Sequence, residues 1–221
     1  LATTRFYPSS FPWSMGFLLF TIVGERLELS RFLPVPAKAR NWMFVFLGVF
    51  FMGLVLPFHG TGKYLSGVAL VGISFWLLRH DVIGIGLRHT GLARYAAFAL
   101  LAGNLALMVE GIFLLVLPDS LFAYDSLVHT FFIGFGVTMV FAHGPIILPS
   151  VLGSDAKPYT PVLYAWVILL QVSLYLRLIS NSLLGLEFRK ASGLLTASAI
   201  VFYFITIVVS IFRNRQHATA H

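Results

Sequence analysis

Two histidines, His129 and His143, lie fourteen residues apart in one apolar run, YDSLVHTFFIGFGVTMVFAHGPIILPSVL over residues 124–152. An imidazole nitrogen is a natural ligand for haem iron or copper. On an ideal α-helix, fourteen steps of about 100° bring the two rings within roughly 40° of one face, and the helical rise sets them about 21 Å apart. A bilayer's hydrocarbon core is roughly 30 Å thick. One spanning helix can thus offer a ligand near each membrane surface, as in cytochrome b-like bundles that hold two stacked haems. The same residues also suit a plainer role as polar groups lining a helix interface.

Other groups sit where chemistry is possible. Gly144 and Pro145 follow His143, with Pro149 beyond. A proline inside a helix removes a donor and leaves an upstream carbonyl free, and a glycine beside a histidine leaves room for a flat ring or a water. His59 stands in PFHGTGK, while His80 and His89 flank a polar linker. Glu110 and Arg177 fall deep in apolar runs, where a charge needs a partner. Each is expected to pair with the other, or Arg177 with a haem propionate. Asn104, Gln171 and Asn181 add polar contacts between helices. In GERLELSRF, Glu25, Glu28 and Arg31 are spaced for an interfacial ion-pair network, or for a carboxylate pair that takes up protons or metal. No nucleophile triad, phosphate-binding loop or zinc-protease motif is present.

The elements that carry these residues must be membrane-spanning helices. The 221-residue chain is 58% hydrophobic and 10% charged, and its mean hydropathy is +0.90. Soluble domains carry about 25% charge. The apolar runs mark seven spans, at 11–31, 42–58, 64–79, 93–117, 124–149, 161–184 and 192–212. The fold expected is an all-α transmembrane bundle forming a single domain over 1–221, with short links and antiparallel neighbours. Glycines at 48, 53, 67, 72, 134 and 136 are expected to permit close helix approach. With no cysteine, thiolate sites and disulfides are excluded within the chain.

The net charge of +7 reflects topology, not nucleic-acid binding. One side carries Arg26, Arg31, Lys38, Arg40, Arg79, Arg88, Arg94, Lys157, Arg213 and Arg215, and the other Arg5, Lys63, Arg189 and Lys190. That bias predicts an outside N-terminus and a cytoplasmic C-terminus. His59 and His129 then form an outer layer, and His143 with His80 or His89 an inner one.

Two blocks resemble a group of bacterial polytopic membrane proteins related to NnrS. One is GERLELSRF. The other is similar to the group's H-x-x-F-x-G-F-x-x-x-M-x-x-x-H-x-P-x-I-x-P pattern, carried here by His129, Phe132, Gly134, Phe135, Met139, His143, Pro145, Ile147 and Pro149. Asp81, Arg88, Gly91, Leu92 and Arg94 also fit. NnrS contains haem and copper and is tied to nitric oxide stress. Its Gly-His-Thr-Gly-Arg motif is echoed by Arg88-His89-Thr90-Gly91-Leu92, with Arg88 in place of Gly and Leu92 in place of Arg.

The resemblance implies a multi-pass protein of the bacterial inner membrane, with haem b, or copper, on histidines. The expected function is respiratory electron transfer or nitrogen-oxide and gas handling, with a redox partner. Two alternatives stand beside it. One is a cofactor-free subunit that serves a larger membrane complex. The other is a proton-coupled small transporter using Glu110, Arg177 and the glutamates Glu25 and Glu28 as a proton route.

Overall fold

The structure is a computed structural model that describes residues 10–151, 153, 158–180 and 185–219, without the side chains of Leu121 and of residues 214–219. Arg5, Lys157, Asn181 and His221 lie outside the described residues, as do the side chains of Arg215 and His217. The described residues are mostly helical, joined by short links, with no strand among them. Helix α1 is Ser10–Leu29, α2 Ala37–Val55, α3 Lys63–His80, the short α4 Ile83–Gly86, and α5 Gly91–Val116. Then come α6 Leu121–His129, a π-helical stretch Thr130–Val137, α7 Thr138–Val151, α8 Val162–Ile179 and α9 Leu186–Thr219. Prolines punctuate the apolar runs: Pro36 and Pro161 immediately precede α2 and α8, where a missing N–H costs nothing. Gly91 and Gly185 take positive φ (64° and 80°) beside the starts of α5 and α9, a conformation that suits glycine.

Six helical segments among the described residues are long and apolar enough to cross a membrane, beginning with Ala37–Val55. The first expected span is helical too, as α1, but is not one of the six. Ser10, Pro12 and Ser14 near its start and the Glu25–Arg26 pair near its end lower its hydropathy.

The chain groups into two compact units. The first comprises Leu1–Gly84 and Asn104–Gly136. In it α2 and α3 run antiparallel. Trp76 Nε1 near the end of α3 donates to Ala39 O at the start of α2 (2.7 Å). At the other end a Cβ on Gly53 would meet Ser66 Oγ and the Gly62 backbone. The second half of α5 crosses α3, also antiparallel. A Cβ on Gly67 would lie 2.9 Å from Gly111 O, and one on Gly111 would lie 2.9 Å from Gly67 O. Seven residues further along each helix, in opposite directions, Ser74 Oγ donates to Asn104 O (2.6 Å). Gly48 departs from the expected packing role, since a Cβ there meets nothing within 4 Å.

The second unit comprises Ile85–Gly103 and Val137–His221. Its α8 and α9 form an antiparallel pair, with Ser173 Oγ and Thr196 Oγ1 2.8 Å apart and Trp166 Nε1 donating to Thr206 Oγ1 (2.9 Å). Gln171 Nε2 donates to Thr138 Oγ1 (2.8 Å), tying α8 to α7 as an interhelical polar contact.

Candidate functional site

His129 closes α6 in the first unit. Its side chain is 28% exposed. Its Nδ1 lies 2.7 Å from the carbonyl oxygen of Asp125 and 3.5 Å from that residue's Oδ1. A carbonyl oxygen only accepts, so Nδ1 carries the proton and, in the neutral ring, Nε2 carries the lone pair. Ligating histidines commonly show this arrangement, in which a hydrogen bond at one nitrogen orients the other toward a metal.

The π-helical stretch follows directly. Phe131 and Phe135 are fully buried in it, and their rings pack 5.5 Å apart. A Cβ on Gly136 would lie 2.8 Å from a Leu18 methyl, so α1 approaches closely there. Thr130 Oγ1, at the α-to-π junction, is buried with no hydrogen-bond partner among the described residues. The stretch overturns the ideal-helix arithmetic for His129 and His143. A π-turn closes i→i+5 bonds, so each residue advances through fewer degrees and the 40° offset does not hold. The two histidines also belong to different units.

His143 lies on α7 in the second unit, half-buried. Its Nδ1 is 2.6 Å from Met139 O, and the same reasoning gives it the same tautomer as His129. Pro145 frees the carbonyl four residues upstream, that of Phe141. Two buried tyrosines supply the missing donors: Tyr203 Oη at 2.7 Å and Tyr95 Oη at 3.1 Å. The Tyr203 ring stacks on Phe141, centroids 3.7 Å apart, and its hydroxyl fills the space a Cβ on Gly144 would take. The gap expected beside His143 is therefore occupied by Tyr203 on that side.

The tyrosines and the proline form a thermodynamic cycle. Tyr95→Phe with Tyr203→Phe strands a buried carbonyl and is expected to cost about 1–3 kcal/mol. Adding Pro145→Ala restores a backbone donor and should recover most of that loss. Denaturant unfolding of the single, double and triple variants measures it. An equal loss with and without Pro145 would separate the tyrosines from the freed carbonyl.

The remaining histidines have other surroundings. His59 is exposed before α3, its Nδ1 3.6 Å from Asp119 Oδ2. His80 ends α3 with its ring 5.2 Å from Trp76. His89 is exposed in the turn before α5. His59, His80 and His129 share the first unit, and His89 and His143 the second. Arg177 lies in the last turn of α8, which ends at Ile179. That is a helix end where a cation is favoured, not the mid-span position expected.

Three polar features differ from expectation. Glu110 is completely buried, and neither carboxylate oxygen has a hydrogen-bond partner among the described residues, so the pairing with Arg177 is not made. Glu25 pairs with its neighbour Arg26 at 3.8 Å, while Glu28 and Arg31 make no ion pair among the described residues. The third feature is an ion pair that sequence reading missed. Lys63, its side chain 6% exposed, donates to Asp119 Oδ1 (2.7 Å) and Leu117 O (2.6 Å). Among the described residues no group of three or more His, Asp or Glu is placed to hold a metal ion.

Six helices long and apolar enough to cross a membrane define a multi-pass helical membrane protein. More particularly, the chain belongs to the family of the domain of unknown function DUF8744, which matches residues 1–212. Neither a curated protein nor a solved structure matches it.

Proposed function

We propose that this protein binds b-type haem through histidines and serves respiratory electron transfer or the handling of a nitrogen oxide or other gas. The observation that carries this reading is the shared tautomer of His129 and His143, each donating Nδ1–H to the carbonyl four residues back. That leaves Nε2 as the basic nitrogen, as an axial ligand requires. The donor set fits haem better than copper. Haem is satisfied by one or two nitrogens, whereas a copper site gathers more ligands than any His/Asp/Glu group described.

His59 is the candidate second ligand for His129, and His89 shares the second unit with His143. Arg177 supplies a cation suited to a propionate. Bound haem would contribute one-electron redox chemistry or a gas-binding iron, and the chain's part is to fix the imidazoles and exclude water. On this reading the N-terminus lies outside and the C-terminus in the cytoplasm of a bacterial inner membrane, with α1 as a seventh span; the charge bias of the sequence supports it. Electrons would come from a redox partner or a companion subunit. Purified protein should carry haem, and His129→Ala and His143→Ala should each lower the haem-to-protein ratio. Full occupancy in both variants would sink the assignment.

A proton-coupled transporter is the second reading, favoured by Glu110, a buried carboxyl with no partner among the described residues. On this reading Glu110→Gln abolishes proton-driven uptake in vesicles. Unchanged uptake, or a native protein that moves no protons, would dismiss it.

A further inference from the structure

We propose that the cleft between the end of α1 and the start of α2 binds the headgroup of an aminophospholipid, a phosphodiester that carries a primary ammonium. The cleft has a volume of about 460 Å³ and is lined by Gly24, Leu27, Glu28, Arg31, Arg40 and Phe44. Gly24, Leu27 and Glu28 recur at i, i+3 and i+4 along α1, Arg31 follows in the 3-10 turn Ser30–Phe32 that ends it, and Arg40 and Phe44 stand at i and i+4 on α2. Stripes with this spacing ordinarily pack against a neighbour. Here they border open space, since a Cβ added to Gly24 meets nothing within 4 Å.

Three charges face that space. Among the described residues neither the guanidinium of Arg31 or Arg40 nor the carboxylate of Glu28 has an ion pair or side-chain hydrogen bond. Two arginines suit a phosphate, which they engage through paired N–H donors. The first turn of α2 adds positive helix-end character, with Pro36 providing no side-chain cap. Glu28 would repel a purely anionic ligand but accepts hydrogen bonds from an ammonium. Leu27 and Phe44 offer apolar surface for the glycerol region. Ala37–Val55 is long and apolar enough to cross a membrane, so the cleft at its beginning stands at headgroup depth. A soluble phosphate would use the arginines alone. The combination of two cations, one anion and apolar flanks beside a spanning helix fits a lipid with both headgroup charges. This inference does not depend on haem.

Native mass spectrometry of the full chain, delipidated in detergent and titrated with phosphatidylethanolamine, phosphatidylcholine or phosphatidylglycerol, tests it. Phosphatidylethanolamine should bind more tightly than the other two by about ten-fold or more. Arg31→Gln with Arg40→Gln should weaken it to a similar degree. Gly24→Leu, which fills the cleft without touching a charge, should do the same while helicity and melting stay native. Glu28→Gln should reduce phosphatidylethanolamine to the level of phosphatidylcholine. Three results would overturn the proposal: equal lipid binding by the native chain and Gly24→Leu, phosphatidylglycerol binding as tightly as phosphatidylethanolamine, or displacement of the lipid by millimolar inorganic phosphate. If the double arginine variant does not fold, Gly24→Leu decides.

Discussion

Gly111→Ile should abolish the native packing of the first unit, with an expected loss of about 3 kcal/mol or more. The size follows from what surrounds the α3–α5 crossing. A Cβ on Gly111 would lie 2.8 Å from Val71 Cγ2 and 2.9 Å from both Val71 N and Gly67 O. Two of those three atoms are backbone, so no side chain can rotate away and the helices must separate. Separation would also stretch the Ser74–Asn104 contact one heptad along. Membrane helices associate largely through close packing, so a wider crossing forfeits the attraction that holds the pair. Gly67→Ile should behave alike, facing Gly111 O and Leu115 at 2.9 Å. Gly48→Ala is the control: with nothing within 4 Å of its Cβ, it should be neutral or stabilising by up to about 1 kcal/mol. Detergent-denaturant melts of the three variants measure this, and similar stabilities for all would mean that the crossing is not tight.

The second large effect is expected at Lys63. Its ammonium is nearly buried and bridges Asp119 and the Leu117 carbonyl. It fastens the start of α3 to the segment that joins α5 to α6. Lys63→Met removes two charge-assisted hydrogen bonds and leaves Asp119 with His59 at 3.6 Å. Truncating one member of a buried pair costs about 3–5 kcal/mol. Asp119 is 32% exposed, so water offsets part of the loss and about 2–3 kcal/mol is the better expectation. Lys63→Met with Asp119→Leu removes both charges and should be milder than the sum of the two single changes. Additivity in that cycle would show that the two side chains do not interact.

Helix placement was legible because it follows from hydropathy and proline positions, which are local. Every span read from the sequence has a helix, although α2 begins at Ala37, before the expected 42. Partner choice was not local. Pro145 announced a freed carbonyl, but nothing near it named Tyr95 and Tyr203, which come from 46 and 62 residues away. Lys63 counts in the sequence only toward the charge bias, and nothing local ties it to Asp119, 56 residues away. Gly48 and Gly67 look alike in sequence and differ only in whether another helix crosses there. Glu28 and Arg31 have the spacing for a pair on a continuous α-helix, but α1 ends at Leu29 and Arg31 lies in the 3-10 turn beyond it. The sequence marks both histidines as polar groups in an apolar run, and the structure finds His129 part-exposed and His143 half-buried. Their hydrogen bonds to preceding carbonyls were within reach of that reading, since an i−4 carbonyl is always near. The π-helical stretch between them was not, because its glycines also suit an α-helix.

The reduced-minus-oxidised visible spectrum of the purified native chain tests the haem assignment most directly. A Soret band with sharp α and β bands on reduction, the signature of low-spin haem with imidazole ligands, is the predicted result. A featureless difference spectrum from folded protein expressed with ample haem would contradict it.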